Sequence, residues 1–192
     1  VKKHGAQVIL SPTGNHPIWG TVFDGAVSEL LKQEGFRARG FNDAPWYMER
    51  VVKGQYKMFC PTKILLSGRE AFAEAVRKDY AELIRDYPAD GIFLNWEQFV
   101  WPAKGTRGVT SGNGDGAYCF CPLCKREFGK YKNIPNAEKL SDQDIYDRYA
   151  DEWEDFRHRQ DAAIHGILRD VVKSMGLRYV FYCQTAHKTY WA

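Results

Sequence analysis

An alternation of apolar runs and amphipathic stretches constrains this chain more than any other feature. The run at 7–12, "QVILSP", is short, apolar and closed by a proline, which reads as a buried strand. Residues 21–35 place Val22, Ala26, Leu30 and Leu31 on one face and end at Gly35, a helix with a glycine stop. Residues 36–41, "FRARGF", read as a second strand. Ser67 and Glu70 have the spacing of a capping box, and the helix after them carries Phe72, Val76, Tyr80, Leu83, Ile84 and Tyr87 before Pro88. "GIFLNWE" (91–97) is a third strand and 98–118 a long Gly/Thr/Ser-rich loop. "SDQD" (141–144) opens a long helix that ends at Gly176, and "RYVFYCQ" (178–184) is a fourth strand.

Strand and helix in strict alternation predict parallel strands covered by helices. A flavodoxin-like sheet would carry a Gly-rich phosphate turn after its first strand, and "SPTGNHPIWG" has none. The long polar and aromatic insertions after the strands suit a (β/α)8 TIM barrel, or about four β/α units of one, because such barrels build their sites on those loops. With 192 residues, 44% of them hydrophobic, the chain can build one core, and it reads as a single domain. The opening "VKKHGAQVIL" and closing "HKTYWA" lie beside strands, so the domain is expected to be incomplete at both ends. No run of about 18 apolar residues exists, so no membrane span is expected. The net charge of +3 is spread along the chain, which argues against a nucleic-acid partner.

Chemistry concentrates in two places. Cys119, Cys121 and Cys124 read C-x-C-x2-C, three soft ligands within six residues. A fourth would complete a tetrahedral zinc site, with Cys60 and Cys183 as the available donors. Cys60 is preferred because it sits in a loop before a proline, whereas Cys183 falls in a strand. Free thiols or a disulfide remain the alternatives. Zinc-bound thiols suit a reducing compartment such as the cytoplasm.

The second place is the set of segments after the strands. Glu97 ends an apolar run between Trp96, Phe99 and Trp101, with Asn95 beside it. An aromatic wall raises a carboxyl pKa and suits a general acid. Asn15, His16 and Trp19, then Asn42 and Trp46, then Gln184 and His187 follow other strands. Flat aromatics match the C–H face of a sugar ring and the polar groups match its hydroxyls, so carbohydrate is the expected substrate. His158 and His165 lie on the long helix as surface or packing residues.

The stretch "FCPTKILLSGREAFAEAVRKDYAELIRDYPADGIFLNWEQF", together with "YCFCPLCKREF", resembles the catalytic domain of glycoside hydrolase family 42 β-galactosidases over roughly residues 56–131. The resemblance implies a structural zinc held by Cys60, Cys119, Cys121 and Cys124, and Glu97 as acid/base with Asn95 near it. It implies hydrolysis of O-glycosidic bonds by two carboxylates. The family has Asn directly before this Glu, whereas Trp96 intervenes here. The nucleophile lies on a later strand in the family, which leaves Asp43 and Asp115 as the candidates within this chain. The rival expectations are a catalytically inactive barrel, stabilised by zinc, that binds carbohydrate or a partner, and a zinc-binding nucleic-acid module.

Overall fold

In the computed structural model, which describes residues 5–12, 15–16, 20–21, 25–39, 59–95 and 119–182, three of the apolar runs join in one parallel sheet. β1 (Ile9–Leu10), β4 (Gly91–Asn95) and β5 (Arg178–Tyr182) lie in the order β1-β4-β5. Between the first two in sequence, β2 (Asn15–His16) and β3 (Gly20–Thr21) form a separate antiparallel pair. The register runs from Gly91 opposite Arg178 to Asn95 opposite Tyr182, with Ile9 and Leu10 on the other side opposite Gly91 and Ile92. Gly91 is required at the start of the central strand: a Cβ there would lie 2.7 Å from the Arg178 carbonyl oxygen and 2.9 Å from Ile9 Cδ1. Asp90 aligns the three strands. Its carboxylate accepts from the Val8 N–H at 2.8 Å, its own N–H donates to the Val8 carbonyl, and its carbonyl accepts from the Arg178 N–H.

Helices make up most of the described residues. α1 (Ala26–Lys32) begins under the carboxylate of Asp79, which accepts from the Ala26 and Val27 N–H groups at 2.7 and 3.1 Å. Burial pushes the Asp79 carboxyl up, against those two bonds. α2 (Pro61–Lys63) runs through a π-helical stretch (Ile64–Gly68) into α3 (Arg69–Asp86). At Gly68 a Cβ would meet the Phe36 ring at 2.5 Å, so the missing side chain lets that ring pack under the helix. α4 (Pro122–Lys132), a 3-10 turn (Ala137–Lys139), α5 (Asp142–Arg148) and α6 (Ala150–Ser174) follow. The helix start expected at 141–144 is present, and Ser141 caps it with both bonds of a capping box to Asp144. One cluster of buried residues extends from Val27 to Val172 and includes Ile92 and Leu94 of β4, both on one face of the sheet.

This architecture overturns the barrel. Among the described residues there are three short parallel strands, not four β/α units or a (β/α)8 barrel, and the rest is dominated by helices. In a barrel, residues 36–41 would stand between the first strand and the third. Instead β1 pairs directly with β4, and among the described residues Arg37 forms an isolated antiparallel bridge to Phe59. The physical reason lies in the arginines. Gly35 turns the chain at φ 80, and Arg39 sends its guanidinium to Asp142 and to the Phe120 carbonyl. That segment is tied to the cysteines rather than to a sheet. Two helix boundaries also differ from expectation. Ser67 lies inside the π stretch, six residues after the helix has begun at Cys60–Pro61. The helix expected from Ser141 to Gly176 is broken at Tyr149, where ψ is 24, and Gly176 ends it with φ 76.

Candidate metal centre

Two helices begin with the same dipeptide. Cys60–Pro61 opens α2, and Cys121–Pro122 opens α4. Proline at the first helical position sets φ in advance and has no N–H to satisfy, so each pair fixes a cysteine at a helix N-terminus. Cys124 lies one turn into α4 and Cys119 just before it. The segment arrives by two backbone bonds: Cys60 N–H to the Phe36 carbonyl and Phe120 N–H to the Arg39 carbonyl, both 2.7 Å.

The four sulfurs of Cys60, Cys119, Cys121 and Cys124 all lie within 4.8 Å of one another. Cys60 Sγ is 3.5 Å from Cys124 Sγ and 3.8 Å from Cys121 Sγ. A tetrahedron of sulfurs at the usual metal–sulfur length has edges of about 3.8 Å, whereas a disulfide needs about 2.05 Å. None of the four is disulfide-bonded. The group can hold one metal ion, and it selects Cys60 as the fourth member; Cys183 lies outside the described residues.

Around the sulfurs runs a ring of polar contacts. Gln160 Nε2 donates to Thr62 Oγ1 at 2.9 Å, which leaves the Thr62 proton to point at Cys124 Sγ, 3.1 Å away. Gln160 Oε1 accepts from Arg157 at 2.5 Å, and the other end of the Arg157 guanidinium donates to the Cys119 carbonyl. The Arg39 N–H donates to Cys119 Sγ at 3.2 Å. Beneath, Asp142 Oδ1 accepts from Arg39 at 2.8 Å and from Lys125 at 2.6 Å, which pins the start of α5 to α4.

The four thiols shift in opposite directions. Hydrogen bonds, the largest from Cys119, pull Cys121 down to about 7. Burial pushes Cys124 up, but hydrogen bonds from the other three sulfurs and the Arg157 charge more than reverse it. Cys60 and Cys119 go up, chiefly because they serve as the donors. The two cysteines shifted down, Cys121 and Cys124, both sit at the α4 N-terminus, where a helix favours negative charge. A bound cation would displace the remaining protons. Burial pushes the Arg157 guanidinium down, yet charge on Cys124 and Cys119 carries it above its ordinary value.

The other expected site residues are distributed as follows. Asn95 ends β4 opposite Tyr182, and Asn15 and His16 form β2 opposite Thr21 and Gly20. Trp19, Asn42, Asp43, Trp46, Trp96, Glu97, Trp101, Asp115, Gln184 and His187 lie outside the described residues. β1, β4 and β5 are parallel, so Leu10, Asn95 and Tyr182 end their strands at the same end of the sheet. His158 faces Glu154 at 3.4 Å, and His165 bonds the Tyr179 hydroxyl at 2.7 Å.

Thr62, Gln160, Arg157 and Arg39 were not anticipated. For two of them the signal was present: Trp153, Arg157, Gln160 and Ile164 follow at helical spacing, so Arg157 and Gln160 interrupt an apolar stripe. No helix among the described residues is long and apolar enough to cross a membrane. No family model matches the chain, and neither the curated proteins nor the solved structures contain a match to it.

Proposed function

We propose that the four-cysteine cluster is a structural zinc site and that the protein acts on glycosides with Glu97 as its general acid. Soft thiolates in a tetrahedron favour zinc, and four of them leave no open position to activate water. The ion's part is therefore mechanical. One observation supports the link between clip and chemistry. The segment bearing Glu97 leaves from Asn95, fixed in register against Tyr182, and ends at Cys119, a member of the sulfur cluster. Both anchors of that segment are defined, and the zinc would hold the second.

Glycosidic cleavage needs two carboxylates and a sugar platform, not a particular strand count. Glu97 would protonate the leaving oxygen and then, as base, activate water. Its partner must stand about 5–5.5 Å away for retention or about 6.5–9.5 Å for inversion. Asp43 and Asp115 are the candidates within this chain. Trp96, Trp101 and Trp19 would supply stacking faces.

The test compares wild type with Glu97→Gln on a panel of aryl glycosides. The expected result is turnover in the wild type, lost by at least about a thousandfold in the variant, with metal content and melting temperature unchanged. Turnover retained in the variant removes Glu97 from the mechanism. The intervening Trp96 favours a second reading, in which the protein binds carbohydrate without cleaving it. Sugar affinity in both proteins with turnover in neither would establish that reading.

A further inference from the structure

Arg157 is fully buried, and no carboxylate among the described residues pairs with it. Its Nε has no hydrogen-bond partner among the described residues. Asp142, the carboxylate that pins α5 to α4, is taken by Arg39 and Lys125. The guanidinium instead lies over the Trp153 ring at 4.3 Å and the Phe156 ring at 5.2 Å, with its remaining donors on Gln160 and on the Cys119 carbonyl. A buried cation is unfavourable unless an anion is close. Asp161, one turn further along the helix, faces His165 at 3.6 Å, and among the described residues the anionic centre that the guanidinium reaches is the sulfur cluster, through the Cys119 carbonyl.

The charges match. A divalent ion with four thiolates carries two net negative charges, and three of the four cysteines are almost wholly excluded from water. Such a centre needs a counter-charge as much as Arg157 needs an anion. Helix N-termini at Cys60 and Cys121 supply only partial charge.

We propose that Arg157 is the counter-charge of the metal centre, a positioning residue whose cation balances the loaded tetrathiolate and slows loss of the ion. This rests on the cluster holding a metal. The guanidinium also orients the ligands: through Gln160 it turns the Thr62 hydroxyl toward Cys124, and through the Cys119 carbonyl it fixes the approach of the C-x-C turn.

The test loads the protein with Co2+ and compares wild type, Arg157→Met and Arg157→Lys. Two quantities are read: the energy of the sulfur-to-cobalt charge-transfer band, and the rate at which a chelator removes the ion. A cation beside the sulfurs lowers their lone-pair energies, so its removal shifts the band to the red. Arg157→Met is expected to show that shift and to lose Co2+ about tenfold faster or more. Arg157→Lys is expected to keep the band near its wild-type position. A loss of packing alone would not move the band in Met and restore it in Lys. Should Arg157→Met fail to fold, Arg157→Lys decides alone: a wild-type band supports the assignment, and a red shift with rapid ion loss overturns it. Co2+ bound by Arg157→Met with unchanged band and release rate overturns this inference while leaving the metal site intact. Failure of the wild type to take up Co2+ overturns both.

Discussion

Helix α6 serves two different neighbourhoods with one stripe of side chains. Its first half presents Trp153, Phe156, Arg157 and Gln160 to the cysteine cluster, and its second half presents Ile164, Ile167, Leu168, Val171 and Val172 to the rest of the core. The apolar stripe of the second half is held by burial, at about 25 cal/mol per Å2 of apolar surface removed from water, with His165 adding a hydrogen bond to the Tyr179 hydroxyl beside it. The first half buries a full charge and an amide, which is unfavourable unless each donor finds an acceptor and the charge an anion. Two regions of equal burial thus depend on different things: the sheet-facing half on shape, the cysteine-facing half on what occupies the sulfurs.

Breaking the metal centre should produce the largest effect. Cys119→Ser or Cys60→Ser should abolish stoichiometric metal binding, with a loss of binding free energy on the order of 10 kcal/mol, read by native mass and by thermal unfolding. In the same region Trp153→Ala removes the ring that stacks on Phe120 at 5.0 Å and lies edge-on to Phe128 at 4.9 Å. It should cost about 3–5 kcal/mol, and more in the metal-bound protein, because Arg157 loses its platform as well. Leu168→Ala sharpens the contrast. It should cost about 2–5 kcal/mol in denaturant titration, by the same amount with and without chelator. A chelator-dependent cost at Leu168 would show that the two halves are not separate.

The smallest effect belongs to the cap of α5. Ser141→Ala should cost about 1 kcal/mol and leave the metal stoichiometry alone. Hydrogen bonds from the Ser141 hydroxyl and N–H hold the Asp144 carboxyl below its ordinary value. A depressed acid contributes stability above its unfolded pKa, about 3.9, and that contribution is lost as pH falls through the lower folded value. The difference between wild type and Ser141→Ala should therefore shrink in acid.

The same contrast explains what could be read from the sequence. The runs at 91–95 and 178–182 became strands as their local pattern indicates, and Ile92 and Leu94 of the first are buried. "FRARGF" has the alternation of a strand too, but Arg39 and its backbone are engaged by Cys119, Phe120 and Asp142, contacts 80 or more residues away. No local pattern encodes that. The Ser67–Glu70 spacing has the form of a cap, yet the helix had started at Cys60–Pro61, where proline and a turn fixed by Phe36 decide the boundary. The cysteines were legible because ligand spacing is local for three of them, and Cys60 was marked by its proline. Arg157 showed itself only as a charge in an apolar stripe, and its meaning depends on a cluster drawn from 60 and 119–124.

The most direct measurement is the native mass of the purified protein, with elemental analysis and a thiol count before and after chelation. The account predicts one zinc per chain, four thiols that react only after the ion is removed, and loss of that zinc in Cys60→Ser. A metal-free chain purified without chelator that takes up no zinc when it is supplied, with those four thiols freely reactive while the fold is intact, would contradict it.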